Sequence, residues 1–370
     1  MLSKEEKHRY NRHIILDKIG IAGQEKLKNA KVLVIGAGGL GCPVLQYLTA
    51  AGVGTIGIVD FDKVDETNLQ RQILFTIDDV GKPKAQIAAQ KLEQLNPYIH
   101  FNVYNERLTN QNALDIFKQY DIIVDGSDNF STRYLVNDAC VITGKPLVYG
   151  SIFKFEGQVA VFNYKNSATY RCLFPEPPKP GTVPSCSEIG VIGVLPGIIG
   201  SLQANEVLKI ILEIGEPLTN KVMIFNALNN SFFTLNFSKN EAVFKQTKAM
   251  ENTFASFDYE VFCGLKNNDV NNVNEDILSD LPKDYFIIDV REEHERPKLN
   301  FNGQLLNIPL SNLTSQIKTL DPSKNYIITC QSGVRSLKAI ELLKSYDFNN
   351  LYNLQKGVSG IKNKKLLKDE

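Results

Sequence analysis

Short β-branched runs alternate with longer mixed segments through the first half of this chain. Residues 31–35 (Lys-Val-Leu-Val-Ile) and 55–60 (Thr-Ile-Gly-Ile-Val-Asp) read as strands, and a helix opens after Gly41. A second helix is predicted around 82–95, stopping before Asn96-Pro97. Ile99–Tyr104 reads as a strand, 110–119 as a helix and Asp121–Asp125 as a buried strand. This alternation predicts a doubly wound parallel sheet. From Pro146 to Phe162 the pattern is strand-rich without helices, as expected of an antiparallel extension that turns the sheet mixed. Ahead of all this, residues 5–29 read as helical and charged, with Arg9, Asn11 and Arg12 close together.

Pro175–Pro184 contains five prolines, which lock φ and remove amide donors, so it reads as a surface loop. Gly190–Ile214 reads as a loop running into a long apolar helix, and 221–237 as a closing hairpin. Residues 238–275 are rich in Asn, Lys, Glu and Ser with weak periodicity and read as a linker. The α/β pattern then restarts, with strands at Phe286–Val290 and Tyr326–Cys330 and a helix after each. The expected organisation is a first domain over 1–240, a linker over 241–275 and a smaller α/β domain over 276–370.

Composition narrows the function. At 370 residues the chain can bury two separate cores. Its 41 basic residues balance 41 acidic ones, which leaves no broad positive field and argues against nucleic acid as a partner. The N-terminus has no apolar leader, and no run of 18 apolar residues occurs, so a cytoplasmic protein without a membrane span is expected. Six scattered cysteines favour free thiols over a disulfide framework.

Chemistry-bearing residues concentrate in two places. Gly36-x-Gly38-x-x-Gly41 joins a strand to a helix, and Asp60 ends the next strand where it can hold ribose hydroxyls. These features alone suit a dinucleotide, which leaves an NAD-dependent oxidoreductase as one reading. Asn68, Gln70, Arg71 and Lys84 suit a triphosphate better, because its extra negative charge must be neutralised. The second place is Cys330-Gln331-Ser332-Gly333-Val334-Arg335, between a buried strand and a helix. Loop amides and the helix N-terminus favour a thiolate there. Four residues separate Cys330 from Arg335, one fewer than in tyrosine-phosphatase-type loops, and the smaller ring suits sulfur better than phosphate.

The order of motifs is specific. Arg9-Tyr-Asn-Arg-His-Ile-Ile-Leu16, Gly36-Ala-Gly-Gly-Leu-Gly41, Asp60-Phe-Asp62, Asn68-Leu-Gln-Arg-Gln72, Val80-Gly-Lys-Pro-Lys84 and Asp125-Gly-Ser-Asp-Asn129 together resemble the MoeB/ThiF adenylyltransferases, relatives of ubiquitin-activating enzymes. The resemblance covers nearly all of residues 1–240. It implies MgATP-dependent adenylylation of the C-terminal glycine of a ubiquitin-like sulfur carrier ending in Gly-Gly. By position in the family, Gly36, Gly38, Gly39, Gly41, Asp60, Asp62 and Asn129 belong to the ATP site. Arg71 and Lys84 contact phosphates with Asn68 and Gln72 in support, Asp128 serves Mg²⁺, and Arg12 reaches the partner subunit's phosphates in a homodimer.

Ile288-Asp-Val-Arg-Glu-Glu-His-Glu295 with the Cys330 loop resembles a rhodanese domain, whose cysteine carries a persulfide drawn from a donor such as a cysteine desulfurase. Lys298–Gly303 departs from the pattern usual after the acidic segment. Cys186, in Pro184-Ser-Cys-Ser-Glu188, holds the position of a sulfur-handling cysteine in relatives. The fused arrangement implies thiocarboxylate formation for molybdopterin, thiamin or thiolated tRNA, with an inert sulfur-binding scaffold as the remaining alternative. Relatives carry two Cys-x-x-Cys zinc pairs. Here they read Cys172-Leu-Phe-Pro175 and Glu260-Val-Phe-Cys263, each short of one thiolate, so no structural zinc is expected.

Overall fold

The computed structural model describes residues 1–178, 190–265, 270–301 and 304–368. The chain divides into two compact units with a boundary between Phe257 and Asp258. The first contains β1 (Lys31–Ile35), β2 (Thr55–Val59), β3 (His100–Tyr104), β4 (Ile122–Asp125), β5 (Leu147–Phe153), β6 (Glu156–Phe162), β7 (Lys221–Asn226) and β8 (Ser231–Asn236). They form one sheet in the order β3-β2-β1-β4-β5-β6-β7-β8. The first five strands are parallel, and β6, β7 and β8 add antiparallel. β1 lies between β2 and β4, so successive crossovers leave it in opposite directions and open a crevice beyond the C-terminal ends of β1 and β4.

Local chemistry explains where the helices differ from expectation. Residues 5–29 hold three helices rather than one: Lys4–Arg9, Asn11–Ile14 and Gly20–Asn29. Ser3 caps the first through a reciprocal box with Glu6, and Gly20 begins the last at a φ of +59°. The helix expected around 82–95 runs Lys84–Leu95, because Pro83 occupies its cap. A helix not foreseen, Phe130–Thr143, starts at the Asn129 cap and ends at left-handed Gly144.

Val194–Leu212 is long and apolar enough to cross a bilayer. Its Leu195, Ile199, Ala204 and Val207 lie in the core of the first unit, against β5, β6 and the helix Gly41–Ala51.

The segment read as a linker is folded over much of its length. Asn240 caps the helix Glu241–Ala249, Thr247 and Phe254 are buried, and Asn110 Nδ2 donates to the carbonyls of Ala255 (2.8 Å) and Phe257 (2.9 Å). The first unit therefore continues to Phe257. Few apolar residues suffice for this docking, so composition gave little sign of it.

The second unit contains β9 (Asn271–Val273), β10 (Tyr285–Asp289), β11 (Lys298–Leu299), β12 (Leu305–Asn307), β13 (Asn325–Thr329), β14 (Leu351–Leu354) and β15 (Leu367–Lys368). Five of them form a parallel sheet in the order β12-β10-β13-β14-β9, and β11 pairs with β15. The divergent Lys298–Gly303 segment thus begins as one strand of that small pair. After β10 the chain makes β11 and β12 before its next helix, Leu310–Gln316, whereas Val334–Lys344 follows β13 directly as expected.

Candidate active sites

In the first unit the glycine turn closes the crevice floor. Gly36 follows β1 at a φ of +90°, and a Cβ on Gly41 would lie 1.9 Å from the Gly36 carbonyl oxygen. Only glycine lets the helix Gly41–Ala51 start this close to the strand. Beside the turn is a cavity of about 220 Å³ lined by Gly36, Gly38, Gly39, Asp60, Asp62, Asn68, Arg71, Gln72, Asp128 and Asn129. The structure therefore brings most of the sequence-predicted nucleotide residues to one wall.

Several are held by specific contacts. Asp60 Oδ2 accepts from the Ala37 amide and Oδ1 from the Asp62 amide, each at 2.8 Å. Burial pushes the Asp60 carboxyl above its usual range, against the effect of these two amides and of Lys84. Asn68 Oδ1 accepts from Gln72 Nε2 at 2.8 Å and Arg71 Nη2 at 3.3 Å, which aligns the three side chains. Lys84 is buried and pairs with Asp62 at 3.2 Å; it stands behind Asp62 and is not part of the cavity wall. Asn129 Oδ1 accepts from the Thr132 amide and the Ser131 hydroxyl, both at 2.9 Å, so much of its capacity serves the helix cap. Asp128 next to it is exposed on the wall. Arg12 is exposed on its short helix and does not line this cavity. Cys186 lies outside the described residues.

Sequence reading missed Ser127 and Arg133. Arg133 stands one helical turn after the Asn129 cap, a spacing that places both at the cavity. Its Nη2 donates to the Ser127 carbonyl at 3.3 Å, and its guanidinium lies 5.5 Å from the Phe130 ring and 5.6 Å from the Tyr149 ring. Burial works to lower its pKa, but Tyr149, Tyr170, Asp125 and Asp128 outweigh it and raise the value. Gln72 Oε1, Asp125 Oδ2, Ser127 Oγ and Arg133 Nε are buried without a hydrogen-bond partner. Such orphaned atoms are rare, and their clustering here fits a cavity built for a polar ligand such as ATP.

In the second unit the Cys330 loop joins β13 to the helix Val334–Lys344. Cys330 is buried, and the Gly333 amide donates to its Sγ at 3.1 Å. Arg335 forms a two-pronged pair with Glu295 at 2.6 and 2.7 Å. Burial opposes ionisation of Glu295, yet the Arg335 and Glu292 hydrogen bonds hold its carboxyl below the usual range. Buried Arg291 pairs with Asp289 and gives Nη1 to Gln331 Oε1 at 3.1 Å, while Gln331 Nε2 donates to Ser359 Oγ at 2.9 Å. Val334 begins the helix, and Ser332 is exposed.

The opposite side of the loop is closed by Gly357, which has a φ of +57° and ψ of −153°. A Cβ there would lie 2.2 Å from the Cys330 carbonyl oxygen, which already accepts from the Val358 amide at 2.8 Å. Gly357→Ala is expected to destabilise the second unit by about 2–4 kcal/mol. Limited proteolysis of the full chain should then cut this unit at least ~30-fold faster; an unchanged rate would contradict the clash.

Cys172 belongs to the first unit, where its Sγ accepts from the Asn240 and Thr169 amides at 3.3 and 3.4 Å. Cys263 belongs to the second. Among the described residues no group of three or more His, Cys, Asp or Glu side chains is placed to hold a metal.

Comparison with known proteins follows these two sites. The ThiF family model matches residues 10–244 and the rhodanese-like domain model residues 274–364. The chain is 44% identical to the probable adenylyltransferase/sulfurtransferase MoeZ of Mycobacterium tuberculosis, over 96% of this chain and 93% of the relative. It is 53% identical to the sulfur carrier protein adenylyltransferase of Thermus thermophilus, over 71% of this chain and 99% of the relative. Among solved structures, E. coli MccB with ATP aligns with a TM-score of 0.56 at 26% identity, covering 65% of this chain and 73% of that one. The chain belongs to the ThiF family and carries a rhodanese-like domain C-terminal to the ThiF region in sequence.

Proposed function

We propose that this protein adenylylates the C-terminal glycine of a ubiquitin-like sulfur carrier and then delivers persulfide sulfur from Cys330. One observation carries the proposal: a polar nucleotide cavity walled by Asn68, Arg71, Gln72 and Asp128 shares a chain with a buried cysteine loop of rhodanese type. The relatives named adenylyltransferase/sulfurtransferase support the same pairing, and the oxidoreductase alternative is not favoured.

In the first step the carrier carboxylate attacks the α-phosphorus of ATP, and the bond to pyrophosphate breaks. The protein's contribution is to align two anions and to neutralise their charge. Arg71, held by Asn68, is placed for phosphate, and Arg133 adds a cation that sequence reading omitted. Lys84 acts through Asp62, with which it pairs at 3.2 Å. Asp128 would hold Mg²⁺, which supplies charge neutralisation when bound.

In the second step the Cys330 persulfide attacks the acyl carbon and AMP leaves, giving an acyl disulfide. A second thiolate, for which Cys186 is the candidate, attacks the Cys330 sulfur. The S–S bond breaks, the thiocarboxylate leaves, and the disulfide formed with Cys330 is reopened by an external dithiol reductant before the next turnover. A cysteine desulfurase is the proposed sulfur source, a cytoplasmic homodimer the proposed form, and molybdopterin or thiamin synthesis the proposed destination.

The test is ATP–pyrophosphate exchange with a purified carrier ending in Gly-Gly. Exchange that depends on the carrier is expected, and none above the carrier-free background would overturn adenylylation.

The shared site makes a further prediction. Asp128→Asn and Arg12→Ala are each expected to lower exchange by about 10²–10³-fold. Mixed and reassembled, they should recover roughly a quarter of wild-type exchange, since half of the dimers are mixed and each has one intact site. No recovery would mean that Arg12 acts within its own subunit.

A further inference from the structure

Behind the sulfur of Cys330 runs a buried polar chain. Cys330 Sγ is 3.6 Å from Ser336 Oγ, Ser336 Oγ donates to Asn353 Oδ1 at 2.6 Å, and Asn353 Nδ2 donates to Asn272 Oδ1 at 3.0 Å. Cys330 and Ser336 are each 0% exposed and Asn353 is 4% exposed. A serine hydroxyl has a single proton. With that proton given to Asn353, the oxygen facing the sulfur can only accept, and the one hydrogen available on that side is that of the Cys330 thiol. Asn272, from the neighbouring strand β9, fixes the direction by accepting the Asn353 amide protons.

We propose that Ser336 and Asn353 are positioning residues that set the protonation and orientation of Cys330. In the resting chain they hold the thiol with its hydrogen toward Ser336. When the thiol loses its proton to solvent, the Ser336 hydroxyl must turn from Asn353 and donate to the sulfur. The sulfur then has two donors, Ser336 and the Gly333 amide, and Asn353 Oδ1 is left without its partner. Asn353 therefore sets the direction in which the Ser336 hydroxyl points, and with it whether that hydroxyl accepts from or donates to the sulfur. This inference rests on reading Cys330 as the sulfur-carrying residue.

The charged groups around the loop are constant in the test. They are Arg335 with Glu295, Arg291 with Asp289, and Lys356, whose backbone nitrogen lies against Gly333. Lys338 and Glu341 on the helix are likewise left unchanged.

The experiment is a pH titration of thiolate ultraviolet absorbance on the full-length chain, taken as the difference from Cys330→Ala. Asn353→Leu frees the Ser336 proton and is expected to lower the midpoint by roughly one pH unit. Asn272→Ala, at an exposed residue, is expected to act in the same direction by letting the Asn353 amide turn, so the test survives if Asn353→Leu misfolds. In a Ser336→Ala background both shifts should vanish.

An unchanged midpoint in both variants, or an equal shift with and without Ser336, would overturn the proposal. Sulfur transfer by Cys330→Ala, measured separately, would instead overturn the underlying assignment of Cys330.

Discussion

Gly41→Ala is expected to abolish carrier-dependent ATP–pyrophosphate exchange. Its Cβ would lie 1.9 Å from a backbone oxygen, that of Gly36, and neither side of the contact is a flexible side chain. Relief requires moving the helix Gly41–Ala51 or the turn after β1 by about an ångström. Displacement on that scale in a positioned site costs about 10²-fold or more in rate.

Gly38→Ala is the informative control. Its Cβ meets only Gln72 Nε2, at 3.7 Å, so the fold should accept it. If phosphates approach that backbone closely, Gly38→Ala will weaken ATP binding at unchanged thermal stability, whereas Gly41→Ala will lower both. Wild-type exchange in Gly41→Ala would show that the turn does not form the nucleotide floor.

The second large effect separates the two chemistries. Cys330→Ala is expected to abolish thiocarboxylate formation while ATP–pyrophosphate exchange stays within about twofold of wild type. The Cys330 sulfur carries the outer persulfide sulfur that is transferred, so nothing else in its loop can substitute for it. Adenylylation uses residues of the first unit, and exchange needs no sulfur. The paired measurement is a mass shift of the carrier for thiocarboxylate and radiolabel exchange for adenylate. Loss of both would show that the two units are not chemically separable. Retention of both would move sulfur delivery to another thiol.

Legibility differed between the sites for physical reasons. The glycine turn, Asp60 and the Asn68–Gln72 group are contiguous motifs, so their spacing announced them before any coordinates. Arg133 belongs to a helix the sequence reading passed over, because its polar first turn hid the apolar face that follows. Lys84 was legible as a cation, but not its pairing with Asp62, which depends on where Pro83 stops the chain and the helix begins. The linker reading failed up to Phe257, since single buried residues such as Phe254 dock a polar segment without any periodic signal. At the Cys330 loop the strand, loop and helix were readable, whereas Asn353 and Asn272 come from two other strands.

The sequence by itself determined the classes of chemistry: local spacing of glycine, acid, amide and cysteine residues specifies a phosphate-binding turn and a sulfur loop, because those geometries are built within a few residues. It also determined the alternating α/β architecture, through apolar runs of strand length. Only the tertiary structure decided which residues meet. The partnerships of Lys84 with Asp62, Arg133 with the cavity and Ser336 with Asn353 join segments or faces through strand order and burial, quantities that the linear pattern does not contain.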